Sequence, residues 1–313
     1  MDKIAIIGTS CLFPGAQTPE EYWKNLVANK DSRVSANAEK MGRDADDYFS
    51  ENKDTSDKYY CTRGGYIQDF QFDGSDFALP SAQLNDLDNT FQWALHVSRE
   101  AIKDSGYDKN RDVLSRCGVI LGNLSFPTQK SNKLFLPLYH QAMAQPIKEL
   151  LENPEFEMGG QPEGELINGG VAGQPASIIS QALSLGDVSM ALDAACASSL
   201  YSIKIACSYL LSHQADMMLA GAVSAADPWF VSMGFSTFKA FPENVTSRPL
   251  DKNSSGLNTG EGAGMFVLKR YQDAIRDGDT IQAVINGIGL SNDGRGKFVL
   301  SPNASGQVTC YER

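Results

Sequence analysis

Much of what this chain could be is excluded by what it lacks. No stretch approaches the roughly 18 to 20 uninterrupted apolar residues of a membrane-spanning helix, and the N-terminus enters a short apolar strand with no signal-peptide pattern. A cytoplasmic protein is expected. Basic residues are in deficit, 27 Lys and Arg against 38 Asp and Glu, a formal charge of -11. A phosphate-neutralising surface is therefore not a global feature, and nucleic acid is not an expected partner. Docking of any acidic protein would need a local basic patch. Cysteine is sparse: Cys11, Cys61, Cys117, Cys196, Cys207 and Cys310 are widely spaced, with no C-x-x-C pair and no histidine at metal-ligand spacing. Neither a zinc site nor a disulfide framework is indicated. Histidine is scarcer still, with only His96, His140 and His213.

What is present reads as an ordinary globular chain, 313 residues with 42% hydrophobic and 21% charged side chains. Residues 3–8 (KIAIIG) form an apolar run closed by glycine, the pattern of a strand buried on both faces in a largely parallel sheet. Thr18-Pro19-Glu20-Glu21 then places an N-cap, a first-turn proline and a capping-box glutamate ahead of a helix expected to turn Tyr22, Trp23 and Leu26 inward. Leu84, Leu87, Phe91, Leu95 and Ile102 recur at helical spacing and Gly106 supplies a stop, which predicts one long amphipathic helix. Residues 125–173 carry the weakest pattern, with a helix expected only around 142–151. From there the punctuation is regular: helix near 175–185, strand 188–192, helix 197–212, strand 217–223, strand 262–269, helix 271–276 and strand 280–290. This alternation predicts a layered α/β body with mostly parallel strands.

The segment LDAACASSL places Cys196 between a buried strand and an apolar helix, with small residues on both sides. A sharp strand-to-helix turn would hold the sulfur clear of the backbone, and the helix N-terminus supplies unpaired N–H groups and roughly half a positive charge that favour an anion there. That is the equipment of a nucleophile. A small buried cysteine would satisfy the same spacing. Leu200, Ile203, Cys207 and Leu210 form an apolar stripe along the following helix, read as core, and Cys207 belongs to it. Gly8-Thr9-Ser10 after the first strand lacks the G-x-G-x-x-G spacing, so a dinucleotide site is excluded.

DAACASSLYSIKIAC resembles the nucleophile motif of the β-ketoacyl synthases. The surrounding segments follow the family's order: IAIIGTSCLFPGA, GVILG, ADMMLAGAV and TGEGAGMFVLKR. Within that family SDKYYCTRGGYI, LSFPTQKSNKLFLPLYH, MLAGAVSAADPWF and GLSNDGRGKFVLSPN are similar to the ketosynthase domains of microbial polyunsaturated-fatty-acid synthases, in the polypeptide that pairs a ketosynthase with a chain-length factor.

The resemblance implies a thiolase-like layered α/β/α/β/α fold built from two similar halves. Residues 1–270 would form the N-terminal half, complete, and residues 280–313 would begin a C-terminal half that is truncated. It implies decarboxylative condensation of an acyl thioester with a malonyl unit, through an acyl-enzyme on Cys196. Substrates would arrive on the phosphopantetheine of an acyl carrier protein, with no cofactor bound tightly. A chain-length-factor domain or a homodimer partner would pair across the strand at 188–192. The family's two assisting histidines belong to H-x-T-G-T and N-x-G-H motifs. None of the three histidines here stands in either, and the chain ends at Arg313 before both, so acyl transfer without condensation is the expectation. Phe235, Phe238 and Phe241 are read as core aromatics, with lining of an acyl pocket as the alternative. Glu261 matches a family glutamate and is read as a hydrogen-bonded structural carboxylate. Two rival readings are a non-catalytic chain-length-factor-type domain, which lacks the cysteine, and a thiolase-type acyltransferase that uses no malonyl donor.

Overall fold

The computed structural model describes residues 3–42, 44–157, 159–242, 247–295 and 301–313. Part of GLSNDGRGKFVLSPN, at 296–300, lies outside them. The described residues centre on a six-stranded sheet of β1 (Ile4–Leu12), β2 (Cys117–Asn123), β3 (Ser189–Leu192), β4 (Met217–Ser224), β5 (Gly262–Arg270) and β6 (Ala283–Ile285). Their spatial order is β3-β2-β4-β5-β1-β6. Both faces are covered. In β2, Cys117, Val119 and Leu121 join one core cluster while Ile120 joins the other, and all of its residues are buried.

Strand direction departs from the expectation of a mostly parallel sheet. Only β2 runs parallel to its neighbours β3 and β4, whereas β4–β5, β5–β1 and β1–β6 are antiparallel. Apolar runs record that a strand is buried on both faces; they carry no information on its direction. The parallel part is where helices connect successive strands, as a parallel crossover requires. The strand expected over 280–290 is also shorter, confined to β6.

Helices flank the sheet on both sides. Helix α1 (Pro19–Val27) starts at the Thr18 cap, whose side chain accepts from the Glu21 N–H, yet it buries none of its residues. Tyr22, Trp23 and Leu26 are exposed, which corrects the expectation that they point into the core. The long helix expected from residue 81 is two pieces: Ser81–Asn85, then α2 (Asn89–Asp104) capped by the Asp88 side chain. Apolar spacing continues across the break because Leu84, Leu87 and Phe91 are all buried in the same cluster. Helix α3 (Gln129–Leu150) occupies the weakly patterned region, opening at a Thr128 capping box and continuing through Pro137 and Pro146. Those prolines masked it in the sequence, since an interior proline ordinarily breaks or kinks a helix.

Helix α4 (Gln174–Leu183) packs with α2 on one face, around Phe91, Leu95, Ile178 and Ile179. Helix α5 (Ser198–Leu211) covers the other face through Ala206, Cys207 and Leu210. Helix, sheet and helix are thus three successive layers, as expected for one half of a thiolase-like fold. Two short helices follow, α6 (Pro228–Thr237) and α7 (Tyr271–Asp277), and α8 (Ala304–Glu312) closes the chain. Gly8 marks a bulge in β1, where a Cβ would lie 2.4 Å from the Ala101 carbonyl oxygen, so α2 packs closely there only because the residue is glycine. No helix among the described residues is long and apolar enough to cross a membrane.

Candidate active site

Between β3 and α5 the chain makes one short 3-10 turn, Ala195–Ala197, with Cys196 at its middle. Ala195 adopts a left-handed backbone with φ 50°, a conformation costing a non-glycine residue on the order of 1–3 kcal/mol. Four hydrogen bonds hold it there. The Ala195 N–H donates to Asp193 Oδ1 at 2.9 Å, and the Ser125 N–H donates to Asp193 Oδ2 at 3.0 Å. Ser198 Oγ accepts from the Ala194 N–H at 2.9 Å and donates to the Ala195 carbonyl at 2.7 Å. The Ser125 and Ala195 bonds to Asp193 hold its carboxyl below the usual carboxylate range, against a smaller opposing effect of burial.

Small residues beneath the turn let it sit directly on the sheet. A Cβ on Gly122 of β2 would fall 2.7 Å from the Ser198 carbonyl carbon, so only glycine admits the first turn of α5. Ser202 then donates to the Gly221 carbonyl of β4 at 2.9 Å. Of the six cysteines, Cys196 alone is exposed; Cys11, Cys61, Cys117 and Cys207 are buried and Cys310 is half-buried.

Cys196 opens onto a cleft of about 840 Å³. Leu200 and Ile203 of α5, Phe266 of β5, Phe13, and Tyr22, Trp23 and Leu26 of α1 form its apolar wall. The stripe read as core along α5 therefore divides: Cys207 and Leu210 are buried on the sheet, while Leu200 faces the cleft and is 55% exposed. Phe13 meets Tyr22 edge-on with ring centroids 4.9 Å apart, which fixes α1 against the end of β1. A thiol at the N-terminal end of a helix is a chemical candidate for a nucleophile, and the apolar wall beside it can hold an apolar group.

Glu261 also lines this cleft, yet its carboxylate is fully engaged. One oxygen lies 2.7 Å from Lys40 Nζ, the other accepts from Lys40 and from the Ile67 N–H, and the side chain is 8% exposed. Burial raises its pKa, and Lys40 with the Ile67 N–H opposes that rise. The loop carrying it is fixed to Gly65, whose N–H donates to Thr259 and whose carbonyl accepts from the Glu261 N–H. This geometry is that of a structural carboxylate.

Residues 1–274 match the family model for the β-ketoacyl synthase N-terminal domain. The chain belongs to the β-ketoacyl synthase family. This ketosynthase chain is 32% identical over 99% of its length to one polyunsaturated fatty acid synthase polypeptide of a Thraustochytrium species, of which it covers 11%. Among solved structures it is similar to the PfaC keto synthase–chain length factor protein, with a TM-score of 0.92, 53% identity and coverage of 100% of this chain and 34% of that one. It is also similar to the ketosynthase from module 6 of the bacillaene synthase of Bacillus subtilis, with a TM-score of 0.75 and 26% identity, covering 99% of this chain and 47% of that one. The ketosynthase chain thus spans less than half the length of each of these relatives.

The histidines of the ketosynthase chain lie apart from the cleft wall. His96 is in α2 against Phe70, with ring centroids 4.9 Å apart, and burial lowers its pKa. His140 belongs to α3, not to an irregular segment, and His213 follows α5 in a left-handed turn with φ 57°. The aromatic trio does not line the cleft either: Phe241 is buried against Phe235, and Phe238 is exposed. Among the described residues no cluster of His, Cys, Asp and Glu could hold a metal ion. Sequence pattern did not single out Asp193 and Ser198, although both stand within three residues of Cys196. The structural signal that finds them is the left-handed alanine they restrain.

Proposed function

We propose that this chain contributes the acyl-binding half of a β-ketoacyl synthase, with residues 1–270 as its N-terminal half and residues 280 onward opening the second, and that Cys196 is its nucleophile. The observation that carries this is the one exposed cysteine, held on a restrained turn at the start of α5 and facing an apolar cleft. The Cys196 thiolate attacks the carbonyl of an acyl thioester. The bond between that carbonyl and the donor sulfur breaks, and the donor leaves as a thiolate that takes up a proton to become the free thiol. A phosphopantetheine arm of an acyl carrier protein is the proposed donor, and the wall of Leu200, Ile203 and Phe266 would receive the acyl tail.

Extension of a polyunsaturated chain is the proposed pathway, supported by similarity to the Thraustochytrium synthase and to the PfaC protein. The proposed macromolecular partners are an acyl carrier protein and a chain-length-factor domain or second ketosynthase. Among the described residues β3 is an edge strand of the sheet, which supports pairing with such a partner along its outer side. Acyl transfer is the half-reaction proposed for Cys196; condensation further needs donors at the malonyl thioester oxygen, each typically worth about 100- to 1000-fold.

Incubation with an acyl-loaded carrier protein, followed by intact-mass measurement, should show a single acyl adduct on the protein and none on the Cys196→Ala variant. Equal loading of the two proteins would remove Cys196 from the mechanism.

A further inference from the structure

We infer that Asp193 is the positioning residue of the nucleophile turn: its two carboxylate oxygens tie the left-handed Ala195 to the backbone of Ser125 and so set the direction of Cys196. For its effect on acyl transfer this rests on Cys196 being the nucleophile. The tie itself is a matter of geometry. Oδ1 accepts from the Ala195 N–H at 2.9 Å and Oδ2 from the Ser125 N–H at 3.0 Å. One residue thus joins two segments 68 positions apart in the chain. Asp193 does not line the cleft, so its carboxylate acts through the turn and not on the substrate.

The Ser125 end is a fixed support. Phe126 packs edge-on against Phe230 of α6 at 5.3 Å, the Pro127 carbonyl accepts from the Asp227 N–H at 2.9 Å, and Thr128 caps α3. Asn132 of α3 closes the set by donating to Asp227 Oδ2 at 2.7 Å. Ala195 gains a partner that does not move with α5. Ser198 bonds within its own turn and cannot supply that external reference. Without Asp193 the Ala195 N–H loses its acceptor, and only the two Ser198 bonds inside the turn remain to oppose relaxation of a strained φ toward the ordinary helical or extended regions.

Substitution separates this role from bulk stability. Asp193→Ala removes both bonds. Asp193→Asn keeps one acceptor oxygen and turns an NH2 toward the other N–H, so it satisfies Ala195 or Ser125 but not both. Three measurements on each variant decide the matter: the rate of acyl loading, amide hydrogen exchange at 124–126 and 194–197, and alkylation of Cys117 and Cys207 as a check of the fold. Asp193→Ala should load about 10- to 100-fold more slowly, the loss expected from a misplacement of about 1 Å, and Asp193→Asn should lose less. Exchange should quicken in those two segments only, with Cys117 and Cys207 still protected. Loading of Asp193→Ala at the wild-type rate overturns the proposal, as does slow loading accompanied by alkylation of Cys117 and Cys207. If Cys196→Ala loads as well as wild type, the nucleophile reading falls by itself. Exchange at 195 then decides the tie, quickening in its favour and no change against it.

Discussion

At the scale of single residues, the six cysteines differ by environment more than by sequence. Burial pushes the thiol of Cys117 up to about 12 and those of Cys11 and Cys207 to about 11, with Glu20 and Glu21 adding to the effect at Cys11. The thiolate is the reactive form, so these three are both shielded and protonated at neutral pH. Cys310 is half-buried, its thiol directed at the Gly289 carbonyl 3.0 Å away. Limiting alkylation near pH 7 followed by peptide mapping should therefore label Cys196 first, with Cys310 next and Cys117 last. Preferential labelling of Cys117 or Cys207 in the folded protein, with Cys196 untouched, would contradict the role proposed for Cys196.

Among the elements, α5 decides most, because one helix serves two purposes along its length. Its C-terminal half is core: Cys207 and Leu210 fill the space under β2 and β4. Its first turn is the site, pressed onto Gly122. These roles can be separated. Leu210→Ala leaves a cavity in a fully buried position and should cost about 2–5 kcal/mol. Gly122→Ala places a methyl 2.7 Å from the Ser198 backbone, an overpacking worth about 1–3 kcal/mol, and displaces the turn that carries Cys196. Denaturant unfolding should rank Leu210→Ala as the less stable protein. Acyl loading, measured where both are folded, should rank Gly122→Ala as the slower. A reversed order in the loading assay would mean that the first turn is not set by its contact with β2.

For the whole molecule, charge shapes the pH response. Asp216, just before β4, pairs with Arg116 and, at 2.6 Å, with Arg270 of β5. Hydrogen bonding to Arg116 is the largest cause holding its pKa at about 2. Asp277, at the end of α7, is held at about 2 chiefly by Arg276, with Lys269 of β5 adding to it. A carboxylate whose folded pKa lies below its unfolded value contributes stability that is complete above about pH 4 and is lost as pH falls toward 2. These groups are partly exposed, so solvent screens each contribution. Unfolding midpoints measured from pH 6 to pH 2 should fall most steeply below pH 4, and Asp216→Asn should flatten that fall. Parallel curves for the two proteins would assign acid sensitivity to other carboxylates.

The division between sequence and tertiary structure follows from the range of the interactions involved. The sequence by itself determined what depends on neighbours in the chain: the strand and helix around Cys196, the Thr18 cap, the buried runs at 117–121 and 217–223, and the family to which they belong. Strand direction was not legible, because burial leaves the same apolar pattern in parallel and antiparallel pairs. Nor was the fate of Trp23 and Leu200, since helical spacing shows an apolar face and not what it meets; here both face the cleft. Helix α3 was hidden because its prolines outweigh its local pattern. Only the folded chain could reveal that Asp193 joins Ala195 to Ser125, because a hydrogen bond across 68 residues leaves no periodicity in either segment.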